Sequence, residues 1–422
     1  MDKEFDLVVI GAGIVGLATA MEAVGRYPRL RVAVVEKESE IAQHQTGHNS
    51  GVIHSGVYYT PGSLRARNCV AGAAAMVEFC SEHHLPCNIC GKVIVATERA
   101  ELPGLHRLYE RGRANGIANL RLIGPERLRE LEPHSAGIAA LHVPGAGITD
   151  YTQVARKYAE LILAGGGMLL TGCAVTAIRH DATLLVLETT RGAIAARWAI
   201  NCAGLHSDRM RRLAGLSEGP QIVPFRGEYY EVAPESTSLI RGLIYPVPDP
   251  QFPFLGVHFT RKVRGGVEAG PNAVLALGRE GYRKRDINLR DLAGTLAYPG
   301  FWKMAARHWP SGLAEVARSY SKRLLTRSLQ RLVPGIRESD LLPGGSGVRA
   351  QAMDRDGRLL DDFSIVPTER MIHVCNVPSP AATASLVIGK QIVDMAEREM
   401  KLSAANPALV FPATSGGLPA NA

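Results

Sequence analysis

The chain has 422 residues, 46% of them apolar and 21% charged, with a formal charge of +8. The apolar share is enough to bury a large core, and the length exceeds one ordinary core, so two domains are expected. The positive charge favours anionic partners: a phosphate-bearing cofactor, an acidic substrate or an anionic membrane surface. No nucleic-acid motif or basic tail accompanies it, so nucleic acid is not an expected partner. The seven cysteines (69, 80, 87, 90, 173, 202 and 375) show no framework spacing and suit a reducing cytoplasm. Cys87-x-x-Cys90 has neither a second such pair nor an HxxxH partner, so no metal is expected. No apolar run is long enough to span a bilayer. The opening MDKEFDL lacks the basic segment of a signal peptide.

The first element is the most specific. The apolar run Phe5–Ile10 meets Gly11-x-Gly13-x-x-Gly16, then a helical stretch, then Val32–Val35 and Glu36. This is a βαβ dinucleotide fingerprint in its proper context. Gly11 allows the tight turn, Gly13 lets a pyrophosphate approach the backbone, and Gly16 lets helix and strand pack closely. The helix N-terminus would face the phosphates. Glu36 would accept a ribose hydroxyl and repel a 2′-phosphate, which disfavours NADP. The fingerprint does not separate FAD from NAD.

A small, polar loop follows at Gln43–Tyr59, then a helix over Arg65–His83, a strand at Gly91–Ala96 and a helix–loop–helix over 98–132. A helix is predicted at Tyr151–Leu163. Strands follow at Met168–Thr171, Val175–His180, Leu184–Thr189 and Trp198–Asn201, then a helix at Ser207–Leu213. From Val223 to Gly270, short alternating strands (GEYYEVA, LIYPVP, FLGVHFT, GVEAG) predict an antiparallel sheet. Residues 283–335 read as helical and basic. SGVRAQ (346–351), Asp361–Val366 and a strand at Met371–Cys375 precede the turn NVPSPAATAS and a helix to about Met400.

The expected fold is therefore α/β. A Rossmann-like cofactor domain (1–85, 145–220, 340–402) is interleaved with a mainly antiparallel α+β substrate domain (86–144, 221–339), with a loose tail at 403–422. The ligand would lie between the two domains. No second strand-linked GxGxxG is present, so one nucleotide cofactor is expected. The turn at 376–385 favours a flavin, because a helix N-terminus there would aim N–H groups at the negative charge a reduced isoalloxazine carries.

GAGIVG, EKE, HQTGHNSGVIHSGVYYTPGSL, GKVIVAT, NCAG, PFRGEYY, LIYPVPDP, FLGVHFT, GPNAVLA, REGYRKRD, GVRAQ and CNVPSPAAT together resemble the L-2-hydroxyglutarate oxidase/dehydrogenase family. That family belongs to the FAD-dependent D-amino-acid-oxidase and glycerol-3-phosphate-dehydrogenase class. The likeness covers about residues 5–400. GAGIVG is shared by many flavoproteins, whereas the run from Gln43 to Leu64 and CNVPSPAAT are far more specific. The resemblance implies non-covalent FAD and oxidation of L-2-hydroxyglutarate to 2-oxoglutarate. Electrons would pass to a quinone pool or another acceptor, with little use of oxygen. The implied cofactor residues are Gly11, Gly13, Ile14, Val15, Gly16, Glu36 and Lys37; Thr46, His48, Asn49, Ser50, Gly51 and Val52; Val175, Ala203 and Gly204; and Pro380, Ala381 and Thr383.

A 2-hydroxy acid is oxidised by loss of its hydroxyl proton and the hydride on its second carbon. A neutral imidazole suits the proton. His54 is the first choice, because it closes the SGVIH segment that lies beside the ring in related flavoenzymes. His44 and His48 would hold the cofactor or order the loop. A guanidinium matches a carboxylate bidentately, and Arg349 in GVRAQ is the expected clamp. Arg226, Tyr245 and His258 are weaker substrate-binding candidates. An oxidase of an amino acid or of glycerol 3-phosphate is the alternative activity, and a flavin-binding tRNA-modifying or scaffold protein the alternative class. Leu313, Val316, Ala317, Tyr320, Leu324 and Leu325 fall at helical spacing among Arg318, Lys322, Arg323 and Arg327, just after Phe301, Trp302 and Trp309. Such a helix packs on its own domain or rests peripherally on an anionic bilayer, where a quinone would be reached. The residues specify no oligomeric state.

Overall fold

A computed structural model describes residues 3–181, 183–249 and 255–402. The tail from Ser403, and Phe254 at the head of FLGVHFT, lie outside them. Strand β1 (Lys3–Ile10), helix α1 (Ile14–Arg26) and strand β2 (Val32–Val35) form the expected unit. The second half of β1, Leu7–Ile10, is continuously apolar because both faces of a parallel strand are covered there. Leu7, Val8 and Val9 are fully buried. β1 lies between β2 and Gly192–Asn201, both parallel to it, and Met168–Leu170 extends the sheet beyond β2. Met371–Asn376 joins from the far end of the chain, parallel to Gly192–Asn201. The strand predicted at Trp198–Asn201 is thus longer, and its earlier half carries the antiparallel strands Leu185–Thr189 and Val175–His180.

Ser385–Met400 packs on α1 beside Tyr151–Ala164. The contact is backbone to backbone: a Cβ on Gly389 would stand 2.8 Å from the carbonyl carbon of Ala18. One apolar core joins Leu17, Val34, Tyr158, Ile200, Ile388 and Ile392.

The second sheet runs in the order 274–275, 221–232, 267–270, 258–261, 243–246, 92–96, 139–143, 121–123. It is antiparallel except where Leu243–Pro246 runs parallel to Lys92–Ala96. Two features differ from the sequence reading. Arg121–Ile123 forms a strand inside the predicted helix–loop–helix. Leu341–Met353, expected with the cofactor domain from residue 340, is instead paired antiparallel along Gln221–Val232 in the second sheet. Its register partner is over a hundred residues away, a relation no local pattern reports. The basic segment contains helices Leu289–Leu296, Pro299–Tyr320 and Lys322–Gln330. The middle one is kinked at His308, two residues before Pro310, which cannot donate within a helix.

Candidate active site

Two cavities adjoin at the start of α1. The larger, of about 520 Å³, lies between the two sheets. The smaller, of about 260 Å³, lies over the ends of β1 and β2. Gly13, Gln45, Thr46, Cys202 and Gly204 line both. Gly11 has φ +107°, and a Cβ there would stand 2.6 Å from the Cys202 carbonyl oxygen. Only glycine tolerates that turn. A Cβ on Gly16 would meet the Gly11 carbonyl oxygen at 2.0 Å, which is the close helix–strand packing expected of it.

The structure gathers the sequence-predicted residues in two groups. Gly11, Gly13, Glu36, Lys37, Thr46, Val175, Ala203 and Gly204 line the smaller cavity. Ile14, Val15, His48, Asn49, Ser50, Val52, His54, Tyr245, His258, Arg349, Pro380, Ala381 and Thr383 line the larger. Gly51 stands between two lining residues with φ +69°, its Cα face pressed on the Thr149 carbonyl. Arg226 lines neither cavity. Its guanidinium binds Glu228 at 3.0 Å and the carbonyls of Gly281 (3.4 Å) and Arg283 (3.2 Å). The register explains this. Arg349 sits opposite Phe225, so Arg226 points to the other face of the sheet. Its place is that of a brace rather than the weaker substrate ligand expected.

The two chain ends meet through the buried Thr383 hydroxyl. It accepts the His54 N–H (3.1 Å), lies 2.9 Å from the Tyr151 hydroxyl and donates to the Val52 carbonyl (3.3 Å). The His54 ring is thereby held at the cavity wall, with Nε2 3.4 Å from Ser379 Oγ. Arg349 reaches the same cavity from the second sheet, its Nη1 3.4 Å from the Asn272 carbonyl. Gly227 supplies its seat, since a Cβ there would come within 3.0 Å of Nη2.

The family whose description is FAD dependent oxidoreductase matches residues 6–395. An L-2-hydroxyglutarate dehydrogenase of Indibacter alkaliphilus is 51% identical over 394 residues, 93% of this chain and 99% of that one. The chain belongs to the FAD-dependent oxidoreductase family. The mitochondrial L-2-hydroxyglutarate dehydrogenase of Homo sapiens is 44% identical over 95% of this oxidoreductase and 90% of that protein. The Escherichia coli K12 L-2-hydroxyglutarate dehydrogenase is 45% identical, over 96% and 95%. Among solved structures, the FAD-bound L-alpha-glycerophosphate oxidase of Mycoplasma pneumoniae superposes with a TM-score of 0.77 at 22% identity, covering 93% of this chain and 94% of that one. Glycine oxidase of Geobacillus kaustophilus does so at 0.70 and 21%, covering 94% and 95%. These two show the fold.

The oxidoreductase's residues fit FAD. Gly13 begins α1 with no side chain of its own to cap it, and Thr46 Oγ1 accepts the Ile14 N–H at 2.9 Å; the remaining N–H groups of the first turn and the positive helix end would face a diphosphate. Glu36 lines the smaller cavity, where its carboxylate would accept a ribose hydroxyl of FAD. Its Oε2 accepts the Ala12 N–H at 2.7 Å and its Oε1 the Glu38 N–H at 3.0 Å, which fixes the carboxylate. Lys37 is drawn aside by Glu38 and by Glu280 at 2.7 Å. Glu38, His44 and Glu280 form the cluster of possible metal-ligating groups found among the described residues. The Lys37 ammonium already supplies a cation to that cluster. The larger cavity has the volume of a ring-binding site.

At the substrate end the electrostatics are unusual. Burial pushes the His54 imidazole well below its ordinary 6.5, and the positive fields of Lys92 and Arg65 add to this. Burial likewise pushes His258 down to about 3, partly opposed by its contact with the Gly256 carbonyl, 2.8 Å from Nδ1. The His258 ring stacks on Tyr245 at 3.8 Å. Both imidazoles are neutral at pH 7, and His54 can accept a proton. Sequence reasoning missed Tyr58, Tyr59 and Arg65, which also line this end. Arg65 lies over the Tyr59 ring at 4.4 Å and donates to the Ser379 carbonyl at 2.6 Å. Their signal was the HSGVYYTPGSLRAR run itself, whose tyrosines and arginine follow His54 closely. Lys92 was missed as well, although a lysine opening the otherwise apolar strand KVIVA stands out.

Proposed function

We propose that the protein oxidises L-2-hydroxyglutarate to 2-oxoglutarate. What carries this reading is the end-to-end likeness to L-2-hydroxyglutarate dehydrogenases, together with a base and a carboxylate clamp facing one cavity. Arg349 pairs with a substrate carboxylate and turns the hydroxyl-bearing carbon inward. His54, held neutral by its surroundings, accepts the hydroxyl proton on an unprotonated ring nitrogen. Bound FAD supplies the acceptor for the hydride. Loss of that proton and hydride converts the alcohol carbon to the ketone of 2-oxoglutarate. Tyr245 and His258 wall the site and exclude water, which strengthens the Arg349–carboxylate pair. The test is anaerobic mixing of the purified yellow protein with candidate substrates. L-2-hydroxyglutarate is expected to bleach the flavin, while D-2-hydroxyglutarate, glycerol 3-phosphate and amino acids leave it oxidised. Faster bleaching by any of the latter would remove the substrate assignment.

We also propose a peripheral seat on the cytoplasmic face of an anionic membrane, from which a quinone takes the electrons. Among the described residues no helix is long and apolar enough to cross a membrane. Trp309 is 62% exposed, Leu313 61% and Tyr320 76%, with Trp302 nearby. Arg307, Arg318, Lys322 and Arg323 flank them. Leu325, by contrast, is buried in the second core, so the sheet-facing and outward-facing apolar groups are distinct. The outward set suits an interface, where aromatic rings enter the headgroup layer and cations meet anionic lipid. Co-sedimentation with phosphatidylglycerol vesicles is expected at low salt and is expected to weaken in the double variant Trp309→Asp, Leu313→Asp. Equal pelleting of the variant, or none by the wild type at any salt, would rule out this seat.

A further inference from the structure

Lys92 opens Lys92–Ala96, a strand whose five residues are all buried. Its side chain is 1% exposed. Among the described residues Nζ meets no hydrogen-bond acceptor, and no carboxylate pairs with it. A buried ammonium without such partners is costly, so a fold that keeps one is using the charge. The contacts that Nζ does make point to the cavity. It lies over the Tyr245 ring at 4.2 Å from the centroid and near the Tyr58 ring at 5.4 Å. Both tyrosines line the larger cavity with His54, His258 and Arg349. The lysine itself stands behind that aromatic wall. Aromatic faces soften an ammonium's cost without cancelling its field. In a low-dielectric wall that field reaches the substrate space.

We propose that Lys92 is a positioning residue whose ammonium, behind Tyr58 and Tyr245, favours a dianionic substrate over a monoanionic one and disfavours positive charge on His54 and His258. This rests on the 2-hydroxyglutarate reading given above. Arg349 answers one carboxylate, and the field of Lys92 answers the second negative charge. The same field keeps the base in its proton-accepting form.

Several titratable or charged groups face Lys92 or share its surroundings. Cys69 comes from the helix Leu64–Glu82, and Cys90 precedes the strand. His54, Tyr58 and Arg65 come from the loop and helix start, Tyr245 from the neighbouring strand, and His258 and Arg349 from strands further along the same sheet. Burial moves Cys69 up to about 12, raises Cys90, Tyr58 and Tyr245, and lowers both histidines. Burial lowers Lys92 itself to about 8. Of these groups, Lys92 therefore changes charge between pH 7 and 9.

The test uses FAD-loaded enzyme and binding, not turnover. Affinities for 2-oxoglutarate (a dianion) and 2-oxobutyrate (a monoanion) are read from the visible flavin spectrum. Lys92→Met is expected to hold FAD and to lose about tenfold or more in 2-oxoglutarate affinity at pH 7, the scale of one lost charge interaction. Its loss for 2-oxobutyrate should be clearly smaller. Wild-type affinity for 2-oxoglutarate should fall as pH rises through about 8, while the variant stays flat. Equal losses for both ligands, or no loss, would overturn the proposal in favour of mere packing. Should Lys92→Met fail to hold FAD, the wild-type pH titration decides, and a flat profile from pH 7 to 9 overturns the proposal. Failure of the wild type to bind 2-oxoglutarate at any pH removes the substrate reading instead, and this inference with it.

Discussion

Replacing His54 with asparagine is expected to leave FAD bound and to slow flavin reduction by L-2-hydroxyglutarate about a hundredfold or more, the usual scale for a lost acid–base group. Asparagine keeps the backbone N–H that Thr383 accepts, so the loop linking the two chain ends stays in place. Only the proton acceptor is lost. Anaerobic stopped-flow bleaching measures the rate, and a near-normal rate would exclude His54 as the base. The pH profile adds a second check. Burial and the neighbouring cations hold the His54 imidazole below 6.5, so the deprotonated, active form persists to lower pH than for a free histidine. The acid limb of kcat/KM should therefore lie below pH 6.5. Asparagine has no such titration, and the variant's residual rate should lack that limb.

Arg349→Met is expected to raise the KM for L-2-hydroxyglutarate by about a hundredfold. A charge-assisted guanidinium–carboxylate pair contributes about 3 kcal/mol, and each ~1.4 kcal/mol is a factor of ten. Methionine removes the charge while keeping an unbranched, flexible side chain. Titration with 2-oxoglutarate separates binding from chemistry. Unchanged affinity in the variant would place the clamp elsewhere. The strand pairing sharpens this expectation through a control. Arg226, one register position from the clamp but on the opposite face, is tied to Glu228. Its loss should act through stability and leave dicarboxylate affinity near normal in whatever protein folds.

Much of the cofactor half was legible along the chain because its signals are local. A parallel strand, a glycine turn and an amphipathic helix each leave their own periodicity within a few residues. The observed βαβ unit, the helix Ser207–Leu213 and the glycines at 11 and 16 match that reading closely. The run around His54 carried enough specificity to point to the loop that lines the larger cavity, His54 included. Legibility ended wherever the decisive relation was non-local. The placement of Leu341–Met353 in the second sheet depends on pairing with Gln221–Val232, and that pairing alone sends Arg349 and Arg226 to opposite faces.

Sequence alone therefore determined the nucleotide-binding unit, the family and the side-chain chemistry available, because glycine conformations, hydrophobic period and residue type are properties of short stretches. Tertiary structure alone decided which arginine lines the larger cavity and which braces a sheet. It also decided that Lys92 sits behind two tyrosines, and that two histidines share one cavity wall. Strand register, burial and electric fields arise only when distant segments pack together, so no single stretch of the chain contains them.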